Sequence, residues 1–376
     1  GEKTPFRKDD LNALFALYLH YLDDTILSNQ RSDGLYHSYN VLELGEGTLT
    51  VNRLFEMLEG QVSVLNSGLL KPEDALMVLD ALRGSEMYRS DQNSYMLYPD
   101  RDLPTFTEKN QIPDKDVQQS NLIGQLLEVG DESIVKKDRL GSVHFNGDIR
   151  NASVLNERLS LLDLRYEWGD LVSSQRPVLL GIFERVFDHQ SFTGRSGTFF
   201  AYEGLGSIYW HMVSKLRLVV VGYLGKAQCL AQNGSEREQN VLDRLGVHYD
   251  NICSGIGVGK TPDQYGAIPT DPYSHTPKHA GAQQPGMTGQ VKEDILARFY
   301  ELGLRIVKGV VSFDPSLMRV GELLTTESAF RYLSADGNWN DLGLAFDQFA
   351  FTLCQVPVVY THGNTRELTV VTRDGE

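Results

Sequence analysis

The residues best suited to chemistry are carboxylates set among hydrogen-bonding side chains. Asp148 leads them: in VHFNGDIRNA it follows a glycine and stands beside His144, Asn146, Arg150 and Asn151. Glycosidic bonds are cleaved by one carboxyl group that protonates the leaving oxygen and a second that activates water or attacks the sugar. Asp148 is the acid in that scheme, or else it caps a helix beginning near Asn151. Glu203, in RSGTFFAYEGLGSIYWHMVSK, lies between Tyr202 and Gly204 at a helix mouth, with Tyr209, Trp210 and His211 following. It is the residue that activates water, or it stabilises the positive amino end of the helix. Glu293, in a helix opened by Thr288, is the third catalytic candidate, with a solvated helix face as its other reading.

A polar loop surrounds the third candidate. Residues 265–293, YGAIPTDPYSHTPKHAGAQQPGMTGQVKE, form a connection longer than a domain usually keeps unless it binds, catalyses or is disordered. His275, His279, Gln283, Gln284 and Thr288 offer neutral donors and acceptors that suit hydroxyls or an oxyanion, and free amides at a helix start attract anions. The loop is expected to close over a substrate. Asp33, Tyr36 and His37 in DGLYHSYNVLE read as a sugar subsite or as a polar aromatic turn. Arg101, near Tyr95 and Tyr98, reads as a clamp on hydroxyls or as a surface ion-pair partner. Trp168 and Tyr166 flank Glu167, and Asn146, Arg150 and Tyr209 complete the expected substrate contacts.

Other chemistries lack their residues. Pro277 prevents the helix that would align His275 and His279 as metal ligands, and no HExxH pattern occurs. GIGVGKT resembles a phosphate loop, but Ser254 stands where its first glycine belongs. There is no GxSxG elbow. Cys229, Cys253 and Cys354 form neither a disulfide framework nor a zinc pattern, so reduced thiols and a cytoplasmic location are expected. No metal and no cofactor is expected. A net charge of −15 over 376 residues argues against nucleic acid, and the apolar run 216–224 is too short to cross a membrane. The expected partner is an oligo- or polysaccharide, which an aromatic content of 10% fits. The start, GEKTPFRKDD, shows no signal peptide and reads as a cut, with an upstream domain expected.

Positioning these residues falls to helices. Apolar residues recur at helical spacing over 9–29, 49–65, 71–83, 118–127, 153–162, 171–187, 204–224, 236–245 and 289–302, and short alternating strands follow. Pro72 in a first turn and Gly84 as a stop mark the third of these. The expected class is mainly α: an (α/α) toroid-like helical domain over residues 1–305, followed by a small C-terminal β-sandwich over 306–376.

The order PGMTGQVKEDILARF, then a GL-x-I strand and FDPSL, resembles the end of six-hairpin (α/α) sugar-active enzymes such as the cellobiose and maltose phosphorylases. The likeness covers residues 283–317. It implies a toroid whose last helices are fed by a Pro-Gly turn and a polar loop, and a glycosidic bond cleaved by carboxylate acid/base catalysis, with water or phosphate as acceptor. The acidic "EN" that follows the turn in those enzymes is replaced by Met287 and Thr288. Two other readings stand beside this one: a non-catalytic carbohydrate-binding or scaffold module of a longer chain, and a polysaccharide lyase using His144 and Arg150.

Overall fold

The computed structural model describes residues 7–100, 102, 104–166, 168–188, 206–232, 234–256, 272–273, 275–276, 284–285, 291–365 and 367–371. In chain order come α1 (Lys8–Ser28), the hairpin β1 (Asn40–Gly45) and β2 (Thr48–Arg53), α2 (Leu58–Asn66), α3 (Pro72–Gly84), β3 (Tyr88–Arg89) and β4 (Ser94–Tyr95). Next are α4 (Phe106–Lys109), β5 (Gln111–Ile112), α5 (Asp114–Gln119), α6 (Asn121–Val129), β6 (Val135–Lys137), β7 (Val143–Phe145), α7 (Ala152–Tyr166) and α8 (Gly169–Phe187). Then follow β8 (Ile208–Tyr209), α9 (Trp210–Ala231), α10 (Glu236–Gly255), β9 (Pro272–Tyr273), β10 (His275–Thr276), β11 (Gln284–Pro285) and α11 (Val291–Glu301). Three hairpins close the order: β12 (Leu304–Val307) with β13 (Val310–Phe313), β14 (Ser328–Leu333) with β15 (Trp339–Leu344), and β16 (Gln348–Leu353) with β17 (Val356–Thr361).

Two separate hydrophobic cores organise the helices. In the first, α9 is central. Its apolar residues Trp210, Val213, Leu216, Val220 and Leu224 are buried against α2, α3, α10 and α11. Tyr223 on the same helix donates its hydroxyl to the carbonyl of Leu65, 2.8 Å away, tying α9 to the end of α2. The second core lies wholly between Ile112 and Phe187 and joins α6, α7 and α8 to the three-stranded sheet β5-β7-β6. Phe145 meets Phe183 there edge to face, with ring centroids 5.0 Å apart, the geometry that aromatic quadrupoles favour.

The second core is an insertion into the first. The chain leaves the first core after Tyr98 and re-enters it at Ile208, and the Leu97 amide donates to the Ser207 carbonyl at 2.8 Å. Exit and entry are therefore neighbours, as they must be if a separately folded unit is spliced into a host.

Both parts of the expected architecture need correction. The described residues are mainly helical, but their helices form no toroid. A helix in a ring packs between two neighbours, whereas α9 is surrounded by four, because its run of branched apolar residues is buried on several sides. No sandwich is present among the described strands. The carboxyl-terminal strands pair only within their own hairpins, and Ile306, Val307, Val310 and Trp339 are each more than 60% exposed, which two packed sheet faces would not allow. The helix expected over 49–65 also divides. Leu42 and Leu44 pair across strands with Val51 and Leu49, and Gly47 takes φ +72° in the turn between them. The period-two pairing and the turn glycine win there, and helix begins only at Leu58.

Gly303 closes α11. Its φ is +76°, and an added Cβ would lie 1.8 Å from the Asp314 carbonyl oxygen. Gly303→Ala is therefore expected to destabilise the host by more than about 1 kcal/mol, read as a lowered urea midpoint with an unchanged slope.

Candidate functional site

The strongest site among the described residues joins three segments distant in sequence. At the strand-to-helix junction of β8 and α9, Tyr209 and His211 stand two apart and face one another, with rings nearly perpendicular and centroids 5.7 Å apart. Packing of α9 against α11 brings Glu293, in the first turn of α11, to His211. The geometry is a chain: the Tyr209 hydroxyl lies 3.3 Å from His211 Nδ1, and His211 Nε2 lies 3.1 Å from Glu293 Oε1. An ionised carboxylate can only accept, so Nε2 carries a proton in that state, and in the neutral ring Nδ1 is then the acceptor for the Tyr209 hydroxyl. Backbone pairing of β10 with β8 sets His275 opposite Tyr209, so the long polar loop meets the site at this strand.

Glu293 is the unusual member. It is 3% exposed, its Oε1 also lies 3.5 Å from Lys292 Nζ, and its Oε2 is buried with no hydrogen-bond partner among the described residues. An orphaned buried carboxylate oxygen is costly, and such groups concentrate at functional sites.

A denser ionic network supports this pair of helices from behind. Arg217 reaches Asp294 at 3.1 Å, Glu301 at 2.9 Å and the Tyr249 hydroxyl at 3.2 Å. Tyr249 donates to Glu301, and Arg298 bonds both Glu301 and Glu322. Burial opposes the Glu301 charge, but hydrogen bonds from Tyr249, Arg298 and Arg217 outweigh it and hold its pKa below the ordinary value. Burial raises the pKa of Asp294 despite Arg217 beside it. The network fixes α9, α10 and α11 together, and so fixes where Glu293 sits.

The other expected site residues disperse. Asp148 lies on the surface of the inserted unit, its side chain 82% exposed and 3.6 Å from Arg158. Asn146 beside it is buried for a structural reason: its side-chain amide donates to the Glu132 carbonyl at 2.7 Å, and its Oδ1 receives the Asp148 amide. Arg150 is exposed. The helix start nearby is capped by Asn151, which receives the Val154 amide at 2.9 Å. His144 pairs with Asp138. Trp168 packs half-buried against the second core at the start of α8. Asp33 is held by Arg31 at 2.8 Å. Tyr36 is 2% exposed, its backbone bonded on both sides by the Gln61 side chain. His37 borders a hollow between α1 and α2. Arg101, Glu203, His279, Gln283 and Thr288 lie outside the described residues; His275 and Gln284 fall within β10 and β11, where the backbone alone is described.

The structure thus unites Tyr209 and Glu293 from the expected set and adds His211. In the sequence His211 stands out only as a residue that follows Glu203 and Tyr209. Its signal was the i, i+2 spacing from Tyr209, which places both on one side of an extended junction.

Residues 103–190 match the family model described as GH149 phosphorylase insertion domain 2. No curated protein sequence matches the chain. The matched residues enclose the second core, so the unit that the packing isolates is the one related to an inserted domain of a carbohydrate phosphorylase family. The match spans less than half of the chain and carries no link to a six-hairpin toroid. Among the described residues no helix is long and apolar enough to cross a membrane, and no group of three or more His, Cys, Asp or Glu side chains is placed to hold a metal.

Proposed function

We propose that this protein is related to the glycoside phosphorylases and takes part in phosphate-dependent cleavage of a glycosidic bond. The observation that carries the reading is the coincidence between the second core and the phosphorylase insertion-domain match. In phosphorolysis the phosphate is itself the nucleophile. Its oxygen bonds to the anomeric carbon, the bond to the leaving oxygen breaks, and the proton of hydrogenphosphate ends on the released hydroxyl. Protein acid is needed only to hand that proton across, so one carboxyl group suffices and no second carboxylate need converge on it.

Among the described residues, the Tyr209–His211–Glu293 chain is the group best built for proton transfer: a buried acid, a histidine fixed by it, and a half-buried phenol at the outer end. General acid catalysis of this kind contributes about 10²–10⁴-fold. Glu293→Gln and Tyr209→Phe are expected to cut the synthetic direction, phosphate release from a sugar 1-phosphate in the presence of a sugar acceptor, by about that factor, with unchanged circular dichroism. Turnover that survives both substitutions would remove the chain from the chemistry. Cleavage of oligosaccharides at equal rates with and without phosphate would replace phosphorolysis with hydrolysis.

A further inference from the structure

Among the described residues, α1 stands apart from both cores. None of its 21 residues is buried, and of its apolar residues Ile26, in the last turn, packs against the first core. Phe15, Tyr18, Leu19, Tyr21 and Leu22 are each more than 55% exposed. Contiguous apolar patches beyond a few hundred Å² mark sites of association. A helix of this length is also marginal in water without packing, so the turns before Ile26 call for a cover.

The stripe along those turns is complementary to itself. Leu11, Phe15, Tyr18 and Leu22 are spaced by four, three and four residues, the alternation of a coiled-coil seam, and that order reads the same in both directions. An antiparallel copy therefore sets Leu11 against Leu22 and Phe15 against Tyr18, with Leu14 meeting Leu19 beside them. Nothing in the stripe repels such a copy: the run from Leu11 to Leu22 contains no Asp, Glu, Lys or Arg, and its one histidine, His20, is turned to Asp24 at 3.4 Å. Leu14, Phe15, Tyr18, Leu19, Tyr21 and Leu22 together present on the order of 700 Å² of apolar surface, against the roughly 600–1,000 Å² per partner of a stable interface. We propose that α1 pairs antiparallel with α1 of a second copy of this chain, about a two-fold axis passing between Ala16 and Leu17. A two-fold pairing buries both stripes at once and closes at two copies. A partner of different sequence would be selected by charges or hydrogen-bonding groups, which this stripe does not offer.

Sedimentation equilibrium of the full chain, from low to high micromolar concentration, tests the pairing. The parent is expected at the mass of two chains. Tyr18→Glu and Leu22→Glu are each expected to weaken the dimer by at least about 100-fold, because each introduces an unpaired carboxylate on both sides of the axis. Leu140→Glu, at a 94% exposed position of the inserted unit, should leave the mass unchanged. The double variant Leu11→Lys, Leu22→Glu sets opposite charges across the antiparallel pair twice and is expected to restore the dimer that Leu22→Glu alone loses. The near-ultraviolet circular dichroism of every variant should match the parent, since the substituted positions lie outside both cores. A parent that stays at the mass of one chain would overturn the proposal, as would an open series of larger assemblies or a dimer indifferent to Tyr18→Glu. Dissociation by Leu140→Glu, or failure of the double variant to restore the dimer, would overturn it equally.

Discussion

Phe183→Ala is expected to lower the stability of the inserted unit by about 3–5 kcal/mol, the usual cost of removing a buried ring, while leaving the unfolding of the host where it was. Phe183 is 1% exposed and contacts Phe145 and Phe187 inside the second core, and no residue of the first core belongs to that cluster. Domains with their own cores unfold as units. Calorimetry should therefore resolve two transitions, of which only one moves. A Trp210→Ala variant supplies the converse, since Trp210 is among the largest fully buried side chains of the host. A single transition displaced by both substitutions would contradict the two-core description.

Arg217→Met is expected to cost the host about 1.5–3 kcal/mol, the worth of hydrogen bonds to charged groups when the partly buried carboxylates keep some of their other contacts. The Arg217 side chain is 18% exposed and that of Glu301 14%; removal of the guanidinium leaves Glu301 with Tyr249 and Arg298 as its partners and takes Arg217 from Asp294, whose side chain is 40% exposed. Because the folded pKa of Glu301 lies below its ordinary 4.5, its contribution is complete above that value and is lost as pH falls through the folded one. Asp294, raised by burial, has the opposite sign and weakens the host as it ionises. The stability gap between wild type and Arg217→Met should thus narrow as pH is lowered from about 5 to about 3. A gap that stays constant across that range, measured by urea unfolding, would show that Arg217 acts through packing of its stem instead of through its charge.

Local signals were readable where each segment decides its own structure. Pro72 and Gly84 bound α3 at the residues expected, and the periodicity of the first helix matches α1 within a residue at each end. The site was readable only in part, because its residues are gathered by packing. Glu293 and Tyr209 were each visible as candidates, but nothing in one dimension says that α11 lies on α9 and delivers one to the other through His211. The polar residues dense around Asp148 in the sequence have local partners inside the inserted unit: Asn146 bonds a backbone carbonyl, His144 pairs with Asp138 and Asn151 caps α7. The toroid failed for a related reason. Helix order is shared by rings and clusters alike, and what separates them is whether one helix is buried by several others, as α9 is. The insertion was hidden because Leu97 and Ser207, beside its two ends, become neighbours only in three dimensions.

Phosphorus NMR of the protein incubated with a panel of oligosaccharides, with inorganic phosphate and without it, tests the central claim most directly. A sugar phosphate resonance growing at the expense of inorganic phosphate, with no saccharide consumed when phosphate is omitted, is the predicted result. Saccharide consumption that proceeds equally in the absence of phosphate, with no phosphorylated sugar formed in its presence, would contradict it.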